Sequence, residues 1–143
     1  MTGSKALGAA LAAWLVLSQT PARAQEPELA WDAVAGEQTV KILTRNEDGT
    51  WRDTTVWVVV VDGQGYVRTG NTRWFRNIER DPDVTLRVGD AEYPLRAEMV
   101  EDEALRERLT AALQEKYGGM DRVRGWFMRG RPNLMRLAPR AAG

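Results

Sequence analysis

Trp51-Arg52-Asp53-Thr54-Thr55-Val56-Trp57-Val58-Val59-Val60-Val61 is the stretch on which the fold turns. Its β-branched and aromatic residues favour extended backbone, and from Val56 onward every position is apolar. A strand with one wet face alternates. A continuous apolar run suits a strand covered on both faces, as at the centre of a closed or nearly closed barrel. In the polar first half, alternation sets Arg52, Thr54, Val56 and Val58 on one side and Trp51, Asp53, Thr55 and Trp57 on the other. Either set could line a groove, or the polar end could be a frayed strand with a core tryptophan.

Working outward, residues 38–45 alternate weakly and Asn46-Glu47-Asp48-Gly49 supplies turn chemistry, so this strand and residues 51–61 read as a hairpin. Asp62-Gly63-Gln64-Gly65 is a second turn, and residues 66–69 return as a third strand that stops at Gly70-Asn71. Thr72 then caps a short helix with Trp74, Phe75 and Ile78 on one face, ended by Asp81-Pro82. Val84, Leu86 and Val88 point one way, Gly89-Asp90 turns, and Tyr93, Leu95, Ala97 and Met99 follow on a strand whose Pro94 implies a free edge position. Asp102 can cap a longer helix carrying the stripe Leu105, Leu109, Leu113, Tyr117, with Gly118-Gly119 as its stop. Residues 120–128 read as a further short helical piece packing Val123, Phe127 and Trp126 inward, and residues 133–138 as a last strand. The expected order is βββαββααβ, an α+β fold that is mainly β.

Twenty basic residues balance 20 acidic ones, and there is no cysteine and no histidine. That composition excludes a Ser-His-Asp triad, a thiol nucleophile, imidazole acid-base chemistry and the usual zinc, copper or haem ligands. Nothing in the charge points to nucleic acid. Asp62, Asp81, Asp90 and Asp102 sit where turns and caps want them, so no acid pair and no metal site is expected, and no side chain is singled out as catalytic. Lys5, an apolar run over residues 6–17 and the small-x-small Ala22-Arg23-Ala24 read as a secretory signal peptide. The run stops at Ser18-Gln19, short of the roughly 18 apolar residues a span needs. The expected layout is a signal peptide over 1–24, a lead-in over 25–36, one domain over 37–139 and a tail over 140–143. The mature protein would then be periplasmic or secreted, with no membrane span.

The densest functional signal is Arg68-Thr69-Gly70-Asn71-Thr72-Arg73-Trp74, where a strand feeds a helix N-terminus. Free backbone N–H groups and the positive end of the helix dipole converge at such a junction, Gly70 lets a ligand approach, and Arg68, Thr72 and Arg73 can reach a phosphate. An ordinary capped helix with two solvated arginines fits the same residues. Arg52 and Thr54, on one strand face, could add to a groove; Trp126 and Phe127 could stack on a planar ligand or belong to the core.

Over residues 37–117 the chain resembles the FMN-binding split-barrel superfamily of pyridoxamine-phosphate-oxidase-like proteins, especially its deazaflavin-dependent nitroreductase branch. The resemblance rests on Gly49-x-x-Arg52 leading into Thr-Thr-Val-Trp, on Asp62-Gly63 before Tyr66-Val67-Arg68, on Thr72-Arg73-Trp74-Phe75-Arg76-Asn77-Ile78 and on Asp81-Pro82-Asp83-Val84-Thr85-Leu86. It implies a six-stranded split barrel with a short helix after the third strand and a longer one before the last, and a homodimer. It also implies FMN or a deazaflavin near Arg52, Thr54, Arg68, Thr69, Gly70, Asn71, Thr72, Arg73 and Trp74, with hydride transfer to a small aromatic or quinone-like substrate. The other reading is a cofactor-free barrel that binds a small ligand or a partner chain.

Export makes a definite prediction: the mature N-terminus is Gln25. Intact-mass measurement of the exported protein checks it, and material that still carries residues 1–24 contradicts it.

Overall fold

The structure, a computed structural model, describes residues 29–125 and 131–140. The expected signal segment, the tail beyond residue 140 and the packing expected of Val123, Trp126 and Phe127 lie outside what it describes. Seven strands form one antiparallel sheet: β1 (Val40–Arg45), β2 (Trp51–Val56), β3 (Val58–Val61), β4 (Gln64–Thr69), β5 (Asp83–Val88), β6 (Ala91–Met99) and β7 (Asn133–Pro139). Helix α1 (Trp31–Ala35) precedes them, α2 (Arg73–Arg80) follows β4 and α3 (Glu103–Gly125) follows β6.

The sheet order is β2-β1-β5-β6-β7-β4-β3. The two ends of that order, β2 and β3, are the two halves of residues 51–61, separated by Trp57 alone. A sheet whose ends meet in one stretch of chain has curled into a barrel. This is the split barrel, with seven strands rather than six because the expected long strand is broken.

The cause of the break is a side chain from α3. Val40 pairs with Val56, and the same register two residues on would set Gln38 opposite Val58. The Tyr117 hydroxyl stands in that place: it accepts from the Val58 N–H at 3.1 Å and donates to the Gln38 carbonyl at 2.8 Å. The Val58 carbonyl accepts from Lys116 Nζ at 2.8 Å, and the Tyr117 ring stacks on Trp57 at 4.2 Å.

Alternation across β3 explains the unbroken apolar run. Val58 points into the barrel with Ile42, Val67, Leu86, Met135 and Leu137. Val59 points outward with Tyr66 and Leu134, against Leu109, Leu113 and Tyr117 of α3. The stripe expected on α3 is the face that covers this outer patch. Asp102 caps it, accepting from the Leu105 N–H at 2.9 Å, and Gly118 (φ 2, ψ −85) kinks the helix where a stop is expected.

Asp62 (φ 51) and Gly63 (φ 74) join β3 to β4 in a two-residue turn of the kind that matches strand twist. Pro94 pairs with Thr85 of β5 and lies one residue before the first β7 pairing, Leu95 with Pro139. The edge it implies is therefore local, and β6 as a whole is an interior strand. Met99 departs from its expected inward set and is 44% exposed.

Helix α1 falls in the expected lead-in and has no counterpart in the sequence pattern, since five residues are too few to show a period. It drives Val34 into the core, 1% exposed, and lays the Trp31 indole on Gly65. A Cβ at Gly65 would run into that ring. Gly65→Ala should therefore cost about 1–3 kcal/mol, the range for forcing atoms into a filled site. Urea unfolding measures it, and a change under about 0.5 kcal/mol, as at an open surface position, contradicts the packing.

Candidate functional site

Strand β4 ends at Thr69 and α2 starts at Arg73, joined by Gly70, Asn71 and Thr72. Thr72 is extended (φ −89, ψ 171) and its Oγ1 accepts from the Phe75 N–H at 3.3 Å, so the expected cap is present. The amides of Arg73 and Trp74, ahead of the first full turn, have no intrahelical carbonyl to meet and carry the positive end of the dipole. Thr69 Oγ1 lies 2.9 Å from Thr72 Oγ1, and Asn133 Nδ2 of β7 donates to the Gly70 carbonyl at 3.2 Å and to Asn71 Oδ1 at 3.4 Å. The connection is thus pinned from both flanks. Gly70 is not in the left-handed region and nothing lies within 4 Å of where its Cβ would stand, so the fold itself has no need of a glycine there.

Helix α2 is seated by Trp74, Phe75 and Ile78 in the barrel core and by one buried amide. Asn77 Nδ2 donates to Thr44 Oγ1 at 3.1 Å and to Asn46 Oδ1 at 2.9 Å, while its Oδ1 accepts from Arg80 at 2.9 Å. Thr44 is fully buried, and an amide satisfied on all sides at such a place fixes the helix against β1.

The β3–β4 ladder runs from Val61–Gln64 to Val58–Val67. Continued past the break, that register would set Val56 opposite Thr69, Thr54 opposite Asn71 and Arg52 opposite Arg73. Among the described residues, however, β2 pairs with β1 alone. The wall is therefore not closed by a ladder at that end, where the continued register sets Arg52 and Thr54 of β2 opposite residues 69–73.

Among the described residues the arginines divide into those that meet a carboxylate and those, Arg45, Arg52, Arg73, Arg76, Arg80 and Arg106, that meet none. Arg87, Arg96, Arg108, Arg131 and Arg136 each meet a carboxylate. Among the described residues Arg52 and Arg73 have no ion pair. Arg73 at the helix N-terminus and Arg52 opposite it in the continued register, with hydroxyls of Thr54, Thr69 and Thr72 nearby in that register, can hold a phosphate or another anion.

Two of the expected site residues stand apart. Arg68 lies opposite Leu134 on the β4 face that turns toward α3, whereas Thr69 lies on the inner face. The Trp74 indole is in the core, so what this residue offers a ligand is its amide. Sequence reasoning missed Asn133, which is far from the motif it braces and carries no pattern of its own. It also missed Asn77, whose only trace is a polar residue on the apolar face of α2. Across the break, burial holds the Lys116 ammonium below its ordinary pKa and pushes the Tyr117 phenol above its own, the latter partly offset by the bond from the Val58 amide. No group of potential metal ligands occurs among the described residues, and none of their helices is long and apolar enough to cross a membrane.

Residues 30–132 match the family described as "Uncharacterized protein conserved in bacteria (DUF2255)". A Mycobacterium tuberculosis protein named "Putative F420H(2)-dependent quinone reductase Rv3178" is 29% identical over 82 residues, which cover 57% of this chain and 67% of that protein. Among solved structures, the conserved hypothetical protein Rv2991 of the same organism superposes with a TM-score of 0.64 at 23% identity, covering 85% of this chain and 87% of that one. The heme storage protein HutZ of Vibrio cholerae does so with a TM-score of 0.62 at 20% identity, covering 75% and 84%. These likenesses, with the strand order, show the split-barrel fold of the pyridoxamine-phosphate-oxidase-like proteins.

The open surroundings of Gly70 predict that Gly70→Ala leaves stability unchanged or raises it by up to about 1 kcal/mol, through a less flexible unfolded chain. Thermal unfolding tests this; a loss of more than about 1 kcal/mol would show that the connection needs glycine for its own backbone.

Proposed function

Since the chain belongs to the bacterial family DUF2255, we propose that it is a split-barrel oxidoreductase that binds FMN or a deazaflavin in the cleft between β2 and the β4–α2 connection. What supports this reading is Arg73 at the N-terminus of α2 and Arg52 on the strand that the continued β3–β4 register sets opposite it, neither with a carboxylate partner among the described residues. A phosphate fits that donor set: two guanidinium groups, the first amides of α2 and the hydroxyls of Thr54 and Thr69. Gly70, with open space around it, leaves the backbone accessible from the ligand side. The relative named for F420H(2)-dependent quinone reduction supports a deazaflavin over a purely structural barrel.

Bound there, a flavin or deazaflavin supplies the hydride chemistry that no side chain of this chain offers. The residues present have the complementary tasks. Arg52 and Arg73 neutralise the phosphate, the Asn133 bonds hold the connection in place, and the lips exclude water from the ring system. A small aromatic or quinone-like acceptor fits this scheme. The heme-binding likeness favours another cofactor, but a chain with neither histidine nor cysteine lacks the usual iron ligands. Export to the periplasm or beyond, cleavage after Ala24 and assembly as a homodimer belong to the same proposal. Trp51, 42% exposed, and Met99 are apolar surface that a second subunit would cover.

Titration of FMN and of a deazaflavin into the parent and into Arg52→Ala/Arg73→Ala tests the reading. The parent should bind one of them at tens of micromolar or tighter. The double variant should bind at least about tenfold more weakly with an unchanged melting temperature, because shielded charge-assisted contacts are worth about 1.5–3 kcal/mol each and exposed arginines little. A parent that binds neither cofactor returns the cleft to the ligand- or partner-binding alternative.

A further inference from the structure

Residues 51–61 must lie beside β1 over their first half and beside β4 over their second. If Gln38 and Val58 formed the next rung of the β1 ladder, β2 and β3 would be collinear, and β4 would run on alongside β2 with Thr69 opposite Val56. Instead the Tyr117 oxygen lies between the two backbones, 2.8 Å from the Gln38 carbonyl and 3.1 Å from the Val58 nitrogen. A direct rung is one hydrogen bond long; this one is two bonds that meet at an angle on the phenol oxygen, so at Val58 the strand stands off from Gln38 by about 2 Å more than a direct rung would leave. β4, hydrogen-bonded to β3, is carried outward with it.

We propose that the Tyr117 hydroxyl is a spacer that sets the width of the cleft between β2 and the β4–α2 connection, which makes Tyr117 a positioning residue for the ligand held there. The assignment of a ligand rests on the proposed function; the spacer itself does not. Three features make the hydroxyl rather than the ring the active element. The ring is already held by its stack on Trp57, with planes 3° apart. Leu109 and Leu113 of the same helix stripe anchor α3 on the outer patch independently. And the Val58 carbonyl has a second donor, Lys116 Nζ, so removing the phenol oxygen leaves that group satisfied while freeing the Val58 N–H and the Gln38 carbonyl to meet each other.

Tyr117→Phe is the test, with Lys116→Met as a control that breaks the other bond to Val58 and leaves the spacer in place. The first readout needs no ligand. In isotope-labelled protein, Tyr117→Phe should bring new cross-strand NOEs between Val56 and Thr69, as the lips draw together, while the parent and Lys116→Met show none. The second readout is FMN affinity, which should fall at least about tenfold in Tyr117→Phe and stay within about twofold of the parent in Lys116→Met. A merely structural tyrosine would lower the melting temperature of Tyr117→Phe and move neither readout. Lips that stay apart in Tyr117→Phe overturn the spacer, whatever FMN does. Lips that close without loss of FMN affinity overturn the positioning role. A parent that binds neither FMN nor a deazaflavin refutes the proposed function, yet the NOE comparison still decides the spacer; a parent that binds only the deazaflavin moves the affinity readout to that cofactor. If Tyr117→Phe does not fold, the parent spectrum decides. A slowly exchanging Tyr117 hydroxyl proton with a cross-peak to the Val58 amide supports the spacer, and the NOE pattern of a direct Gln38–Val58 rung overturns it.

Discussion

One stretch of chain, residues 51–61, is asked to be the neighbour of two strands that lie on opposite sides of a curled sheet. Its first half is hydrogen-bonded to β1 and its second half to β4. Closure of the barrel depends on that double duty, because β2 and β3 are the two ends of the strand order. So does the second core. Val59 faces outward only because the strand continues past Trp57, and it gives α3 an apolar patch to cover, shared with Tyr66 and Leu134. Helix α3 in return supplies Tyr117 and Lys116 to the backbone of Val58, so the edge of β3 that would otherwise face solvent is occupied. On the other side of the break the pairing of β2 with β4 is left unmade, where β4 hands over to the N-terminus of α2.

Much of this was legible in the residues. The apolar run from Val56 to Val61 announced a strand covered on both faces, and Val58 and Val59 divide between the two cores as that reading requires. Thr72 and Asp102 announced the starts of α2 and α3 by ordinary capping chemistry, and both side chains accept the expected amide. What was not legible depends on partners far along the chain. The break at Trp57 is made by Tyr117, 59 residues beyond the Val58 it binds, and no local pattern at Trp57 marks it. Asn133 braces Gly70 across 63 positions for the same reason. Alternation alone could have separated Arg68 from Thr69, since adjacent residues of a strand face opposite ways; reading the motif as one loop hid that. Gly65 looked like turn chemistry, whereas its glycine is demanded by the Trp31 ring of a helix too short to be seen in the pattern.

Arginines on the outer face of the sheet are engaged by carboxylates. On the outer face, Arg87 serves Asp53 and Glu92 together, and Arg136 holds Glu98, networks whose members satisfy one another. Burial of Lys116 lowers its pKa, yet its ammonium has a carbonyl to bond. Arg52 and Arg73, like Arg76, have no carboxylate partner among the described residues, and the continued β3–β4 register sets the two opposite each other. Like charges set near each other favour an anion between them, and the amides of Arg73 and Trp74 add to that preference.

The most direct test of an anion-binding cleft is a map of backbone amide shifts in ¹⁵N-labelled protein as inorganic phosphate and then FMN are added. The account predicts saturable shifts at Gly70, Asn71, Arg73 and Trp74 on one lip and at Arg52 to Thr55 on the other, with α3 and the outer faces of β5 and β6 unmoved. Shifts that concentrate on the outer faces, or that grow linearly with concentration without a preferred location, would contradict it.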